Sequence, residues 1–577
     1  MISLQELNSL PAQQFVAALA SIFERSPWVP ERVVNARPFR SVLSLHEAMC
    51  NVVELASVDE QLALIRAHPE LAGRAAIRGE LTPESTREQQ GAGLASCTPE
   101  EFARLHELNA AYRDKFGFPF ILAVKGHNRS SVIAALQQRA GNTVEQERTV
   151  ALEEIGRIAG FRLAEWVTEP LGQRIIAMAE HLARFSERPD ALVCSYLTPA
   201  HRATAALIRD WMLGAGLQVE VDAVGNIIGR WPGANSATLL TGSHYDTVVD
   251  AGKFDGRLGI LLPIVVIAEL RRQRAQLPYT LVVTGFSEEE GVRFKSTFLG
   301  SRALAGQFDL ATLDSVDADG ISCRQALVAA GLDPSAIPAA AMRAENLLGF
   351  VEVHIEQGPV LLDESIPLGV VTSIAGSIRS LVTVTGLAGH AGTVPMNLRR
   401  DAAAAAAELV LAVEKCCSGT PGLVGTVGQL HVPSGAMNVI PGRCELSVDI
   451  RADRDEVRDA AFAAVLAESE GIAARRKVDI HWRKVLDVGC VPCVPKMQGL
   501  WADSIRRVTG CSEVRRLPSG AGHDAMVMAR ITDMGMLFVR CGNGGISHHP
   551  AETLSVEDAD LAARAFKDFL LHFPVEQ

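Results

Sequence analysis

Over roughly the first 165 residues, apolar positions recur every three or four residues. Phe15, Leu19, Ile22 and Phe23 show the spacing, and Leu55, Leu62 and Ile65 repeat it. That period lines up one face of a helix. Thr98-Pro-Glu-Glu-Phe102 reads as a helix start, with a capping Thr, Pro at the first position and acids in the first turn. β-Branched alternation is nearly absent, so residues 1–165 predict an all-α domain. From about residue 170 apolar strand-like runs alternate with helical stretches: Thr238 to Ser243, then Leu258 to Leu270, then Tyr279 to Phe286. This predicts an α/β domain with a largely parallel sheet over residues 170–375, resumed over 490–577. Between those segments, residues 376–489 carry an alternating strand from Leu381, an Ala-rich helix from Asp401 to Leu411 and a second alternating strand from Cys444 to Ile450. They predict a small inserted α+β domain. No internal repeat or low-complexity segment interrupts this order.

A chain of 577 residues is too long for one hydrophobic core, in keeping with several domains. Its net charge of −12 argues against nucleic acid as a partner, because neutralising phosphates takes basic patches. The start has no basic segment followed by an apolar one, as a secretory signal would have. The longest apolar stretch, Ile260 to Ala268, is about half of what spans a bilayer. The expectation is a cytoplasmic protein with no membrane partner. Eleven cysteines cannot all pair, and they read as reduced thiols. Cys490 and Cys493, in CVPC, read as a loop rather than a redox or zinc pair, since no second such pair accompanies them.

Candidate chemistry gathers at strand ends. His244 and Asp246 follow the strand from Thr238, where open α/β sheets place their ligands. Two apart on extended chain, they suit a metal-binding imidazole whose other nitrogen is held by a carboxylate. Asp255 lies in a polar turn ahead of an apolar helix. The strand from Tyr279 runs into Glu288-Glu289-Glu290, three carboxylates that repel one another unless a cation or solvent compensates. His354 ends an alternating strand, and His548 lies in Gly545-Ile-Ser-His-His-Pro-Ala-Glu552. Each alone reads as a core histidine or a solvated charge. Together they are residue types that Zn²⁺ and Mn²⁺ prefer.

The order HxD, D-G, EEEG, VHIEQG and GISHHPAE over residues 170–577 resembles the M20 metallopeptidase superfamily, in its allantoate amidohydrolase and N-carbamoyl-L-amino-acid hydrolase branch. The resemblance implies a di-metal site in which His244 and His548 bind one ion each, with Glu290 and His354, while Asp255 bridges both. Glu289 would be the general base acting on the bridging water. The insertion would be a dimerising lid whose His390, in Gly389-His-Ala-Gly-Thr-Val-Pro, stabilises the oxyanion in the neighbouring subunit's site. Members of the branch usually have a second Thr where Val394 stands. Asn438 and Arg451 would hold a substrate carboxylate, and Gln357 is similar to a substrate-binding residue. The alternative for Arg451 is a surface ion pair. His523, in a Gly-rich segment, has a less defined role.

The helical domain shows no metal spacing. His68 precedes a proline and is therefore held out of the helix, while Glu88 and Gln89 lie on another helix and could form a polar pocket with it. The segments Ala67-His-Pro-Glu-Leu71, Ser85 to Leu94, Lys115-Phe-Gly-Phe-Pro-Phe-Ile121 and Arg162 together resemble the decarboxylases of 2-oxo-4-hydroxy-4-carboxy-5-ureidoimidazoline (OHCU), which form S-allantoin. That resemblance makes His68 the catalytic histidine and Glu88 its acid partner. Pro69, Ser85, Gln89, Phe120 and Ile121 would line the pocket, and Arg162 would grip a substrate carboxylate. No cofactor is implied there.

Joined to an allantoin-forming domain, the hydrolase is expected to act on allantoate, giving ureidoglycine (hence ureidoglycolate), ammonia and CO2. Its alternatives are an N-carbamoyl-L-amino-acid or ureidoglycolate hydrolase, or a hydrolase fold kept only as a binding scaffold. The implied cofactors are two divalent ions, Mn²⁺ or Zn²⁺, and the implied partners are small ureides and a second copy of the chain through the lid.

Overall fold

The computed structural model of the chain describes residues 1–71, 82–91 and 97–575. The chain divides into two compact units, one of residues 1–368, 504–511 and 539–577, the other of residues 369–503 and 512–538.

The first unit opens with helices. Thr98 caps the helix Pro99–Phe116 through a capping box with Glu101, and Gly117 closes it in the left-handed conformation. The long helix Val144–Trp166 starts on a second such box, Thr143 with Gln146. Their apolar faces meet in a core that includes Phe15, Leu19, Leu45, Leu64, Leu105, Phe118, Ile155 and Leu163. One short pairing departs from the all-helical expectation: Ile2–Ser3 runs parallel to Val167–Thr168 and gives the backbone groups at both ends of this region partners.

Beyond it, the strand Thr238–His244 is flanked by two parallel neighbours, Thr280–Phe286 and Leu347–Ile355. Ile227–Trp231 then pairs antiparallel with Thr280–Phe286, and Gln218–Val221 antiparallel with Ile227–Trp231. The sheet is therefore mixed, not largely parallel. Strands Thr238–His244 and Thr280–Phe286 are buried along their whole length. The alternation in Val351-Glu-Val-His-Ile355 does not mark an exposed face, since this strand is buried from Gly349 onward and Glu352 accepts a hydrogen bond from Ser243 at 2.6 Å. Parallel register puts His244 opposite Phe286, so the loops carrying His244 and Glu288 to Glu290 leave the same sheet edge.

In the second unit, four antiparallel strands lie in the order Leu423–His431, Arg443–Ala452, Gly376–Thr385, Asp479–Val488. Helices Ala402–Cys417 and Asp455–Arg476 supply Leu409, Val413, Val465 and Ile472 to its core. All eleven cysteines are free. No helix among the described residues is long and apolar enough to cross a membrane.

Candidate active sites

Asp255 is the centre of the first site. Its Oδ1 lies 3.2 Å from His354 Nε2 and 3.7 Å from His244 Nε2, and its Oδ2 lies 3.1 Å from His548 Nε2. His548 Nε2 is also 3.4 Å from Glu290. Two of the possible donor sets share Asp255, His244 with Asp255 and His354, and Asp255 with Glu290 and His548; a further set joins His244 with Glu289 and Glu290. This grouping places His354 with His244 and Glu290 with His548 around a shared carboxylate. Ligands at about 2.0–2.1 Å from a tetrahedral ion lie about 3.3 Å apart. The measured separations bracket that value, so the donor set fits divalent metal.

The supporting shell is built from backbone and carboxylates. His354 Nδ1–H donates to the Ile355 carbonyl at 2.8 Å, which turns Nε2 toward Asp255. His244 Nδ1 sits 3.3 Å from Asp246, whose two oxygens also accept the Glu289 and Glu290 backbone N–H groups at 3.0 and 3.2 Å. Asp246 thereby ties the two strand-end loops together. Gly256 is required beside it, because a Cβ there would fall 2.4 Å from the His244 ring. Gln357 and His548 both adopt left-handed backbone, φ 56° and 53°. Such conformations are costly for side chains with a Cβ and concentrate at functional sites. Gln357 Nε2 donates to Asp255 at 2.8 Å.

The charges of the cluster favour a cation. Burial, aided by Asp246 and Glu290, drives the Glu288 carboxyl well above its usual range. Burial, with the charges of Asp255 and Asp246, pushes Glu290 up to about 7 against His244 and His548. His548 rises to about 9, chiefly through its hydrogen bond to Asp255. His244 is held well above its ordinary value, because Asp246 and the glutamates outweigh its burial. Asp255 goes the other way, well below the carboxylate range, since His354 and His548 outweigh its burial. Protons on the imidazoles offset the carboxylates, and divalent ions would displace those protons.

The sequence reading gave no role to Glu552. It is buried; its Oε1 accepts the Phe254 and Asp255 N–H groups at 2.7 and 3.2 Å, and its Oε2 accepts from Ser547 at 2.8 Å. Ser547 lies 2.9 Å from Asp255. An acid three residues after a paired His-Pro was the available signal. Glu552→Gln is expected to weaken metal retention roughly 10–100-fold in competition with a chelator, with unchanged far-UV circular dichroism.

The second unit holds the other predicted residues. His390 is exposed on the short strand Gly389–His390, in register with Val439. The neighbouring Asn438 is exposed, and its carbonyl accepts from Ala391 at 2.9 Å. The Arg451 guanidinium pairs with Asp449 at 2.8 Å and donates to the Gly520 carbonyl at 2.6 Å. His523 is buried, with Nε2 2.7 Å from the Ser519 hydroxyl. Cys490 is held by the Asp453 carbonyl, a loop contact.

In the helical region, His68, Pro69, Ser85, Glu88, Phe120, Ile121 and Arg162 line one cavity of about 230 Å³. His68 ends the helix Val58–Ala67 in extended conformation, as the following proline requires. Its Nδ1–H donates to the Leu64 carbonyl at 3.0 Å, which leaves Nε2 as the unprotonated nitrogen. Burial lowers His68 to about 4, so the ring is neutral at neutral pH. Phe120 and Ile121 are fixed by Arg139, which stacks on Phe120 at 4.5 Å and donates to the Ile121 carbonyl at 2.7 Å.

Glu88 shares the cavity with His68, as expected, and its carboxylate receives two bonds from Arg162, at 2.8 and 3.0 Å. Arg162 also pairs with Glu24 at 3.1 Å, and Ser85 donates to Glu24 at 3.2 Å. Glu24 was missed; an acid directly after apolar Ile22 and Phe23 was its only mark. Gln89 lies on the helix Pro83–Gly91, with its side chain outside the described residues.

Together these features define a two-site enzyme, with a buried histidine pocket in the helical region and a di-metal-type cluster at the end of an α/β sheet. The chain belongs to the peptidase family M20/M25/M40, whose profile matches residues 240–572, and an OHCU decarboxylase domain is matched over residues 8–164. It is 39% identical over 395 residues to the N-carbamoyl-L-amino acid amidohydrolase of Geobacillus stearothermophilus, covering 68% of this chain and 96% of that protein. It is equally 39% identical, over 439 residues, to the allantoate deiminase of Arabidopsis thaliana, covering 69% of this chain and 82% of that one. The crystal structure of an amidase of the hydantoinase/carbamoylase family from Burkholderia multivorans superposes with a TM-score of 0.65 at 32% identity, covering 69% of this chain and 97% of that one. The chain is thus an enzyme that joins a carboxy-lyase domain to an amidohydrolase domain.

Proposed function

We propose that the chain is a bifunctional enzyme of urate breakdown. The helical domain, residues 1–165, decarboxylates OHCU to S-allantoin, and the α/β domain, residues 170–375 and 490–577, hydrolyses allantoate to ureidoglycine (hence ureidoglycolate), ammonia and CO2. The observation that carries the hydrolase reading is the pair of donor sets meeting on Asp255, with Glu289 on the adjoining loop. Two Mn²⁺ or Zn²⁺ ions held by His244, Asp255, Glu290, His354 and His548 would supply an acidified water and a polarised carbonyl. Glu289 takes the proton and returns it to the leaving nitrogen. Asn438, Arg451 and Gln357 bind the substrate; Arg451 does so by exchanging Asp449 for a substrate carboxylate, a like-for-like fork. The insertion, residues 376–489, acts as a lid through which two copies pair, and His390 completes the partner's site. Its exposure and the exposed strand Leu423–His431 support that reading.

In the decarboxylase pocket the unprotonated His68 Nε2 first takes a proton from the substrate and then passes it to the carbon that CO2 leaves, and Arg162 orients the carboxylate once Glu88 releases it. No cofactor is needed, because the carbanion is stabilised by the adjacent carbonyl or imine. The pairing with an allantoin-forming domain favours allantoate over an N-carbamoyl amino acid or ureidoglycolate. Intact candidate ligands favour an active hydrolase over a scaffold. The test is ammonia release by the Mn²⁺-loaded protein: allantoate should turn over faster than N-carbamoyl amino acids. The reverse order would overturn the substrate while leaving the site's chemistry.

A further inference from the structure

A second cavity, of about 320 Å³, lies in the first unit and serves neither reaction. Its walls are the end of the helix Val144–Trp166, the first turn of the helix Leu171–Leu182, the turn Gly214 to Gly216 and the end of the helix Leu258–Arg272. It shares Lys125 and Glu165 with the decarboxylase cavity. Four cationic side chains, Lys125, Arg174, Arg271 and Arg272, face three carboxylates, Glu165, Glu169 and Glu269, which leaves one positive charge.

Two of the cations are already engaged. Lys125 pairs with Glu165 at 3.0 Å and donates to the Gly214 carbonyl at 3.1 Å, and Arg272 Nε donates to Glu269 at 3.0 Å. Arg174 makes no hydrogen bond or ion pair with any described side chain. Burial lowers its pKa, although Glu169 and Glu269 oppose the shift. Glu169 Oε2 accepts the Val42 N–H at 3.0 Å. Arg271 also has no ion pair among the described residues. Its guanidinium lies over Gly216, where a Cβ would come within 2.6 Å of it. Arg174 is half-buried at the cavity wall, and a carboxylate satisfies the planar fork of a guanidinium.

We propose that this cavity binds a small monocarboxylate, held by the Arg174 guanidinium with Arg271 at its mouth. One carboxylate balances the surplus charge, and the volume is at the small end of ligand cavities. Ureido acids of the class handled by the hydrolase have this chemistry, and that choice of ligand rests on the function proposed above.

Calorimetric titration of the full chain with N-carbamoylglycine, allantoate and inorganic phosphate tests it. A carboxylate-binding event should weaken at least tenfold in Arg174→Gln, severalfold in the rim variant Arg271→Gln, and persist in His548→Ala. Carboxylate binding indifferent to both arginines, binding of phosphate alone, or no binding overturns the proposal. Failure of allantoate turnover would leave N-carbamoylglycine binding sensitive to Arg174, so the two readings fail separately.

Discussion

Glu289→Gln is expected to lower ureide hydrolysis by about 10²–10⁴-fold, the usual contribution of a positioned general base. The substitution keeps the shape of the side chain and removes only its ability to take a proton. The Glu289 backbone N–H remains on Asp246, so the loop and its neighbour Glu290 hold their positions. Metal content should therefore stay at the wild-type level. Decarboxylation of OHCU should be unchanged, since that pocket is built from residues of the helical region. Ammonia release and metal analysis on one preparation check both halves. Loss of metal together with activity would make Glu289 a ligand rather than a base.

His68→Asn is expected to reduce decarboxylation by a similar factor while hydrolysis continues at the wild-type rate. The buried imidazole also sets a pH dependence. Its folded value of about 4 lies below the ordinary 6.5, so the unfolded chain binds the extra proton between those values. Stability contributed by neutral His68 is complete above pH 6.5 and is lost as pH falls toward 4. Chemical denaturation across that window should show a shallower slope for His68→Asn than for wild type. Identical slopes would mean that the ring is not held neutral.

Much of the fold was legible because the hydrophobic period changes where the architecture changes. The capping box at Thr98 and the strand ends at His244 and Phe286 follow from local chemistry alone. Mixed sheet direction was not legible, since a buried strand such as Ile227–Trp231 has the same composition whichever way it runs. The burial of Glu352 was hidden for a related reason: its partner, Ser243, lies on another strand.

The sequence by itself determined which residue types could form the two sites, because the motifs carry His, Asp and Glu at strand and helix ends. Only the tertiary structure decided their partners. Asp255 is shared by His354 and His548, which stand about a hundred and three hundred residues further along the chain. Glu88 is bonded to Arg162 inside the cavity that it shares with His68. Glu24 and Glu552 matter because burial forces each charge to find donors, and Arg174 because no described side chain accepts from it. Spacing along the chain reports local geometry; compensation of buried charge depends on contacts that the fold alone creates.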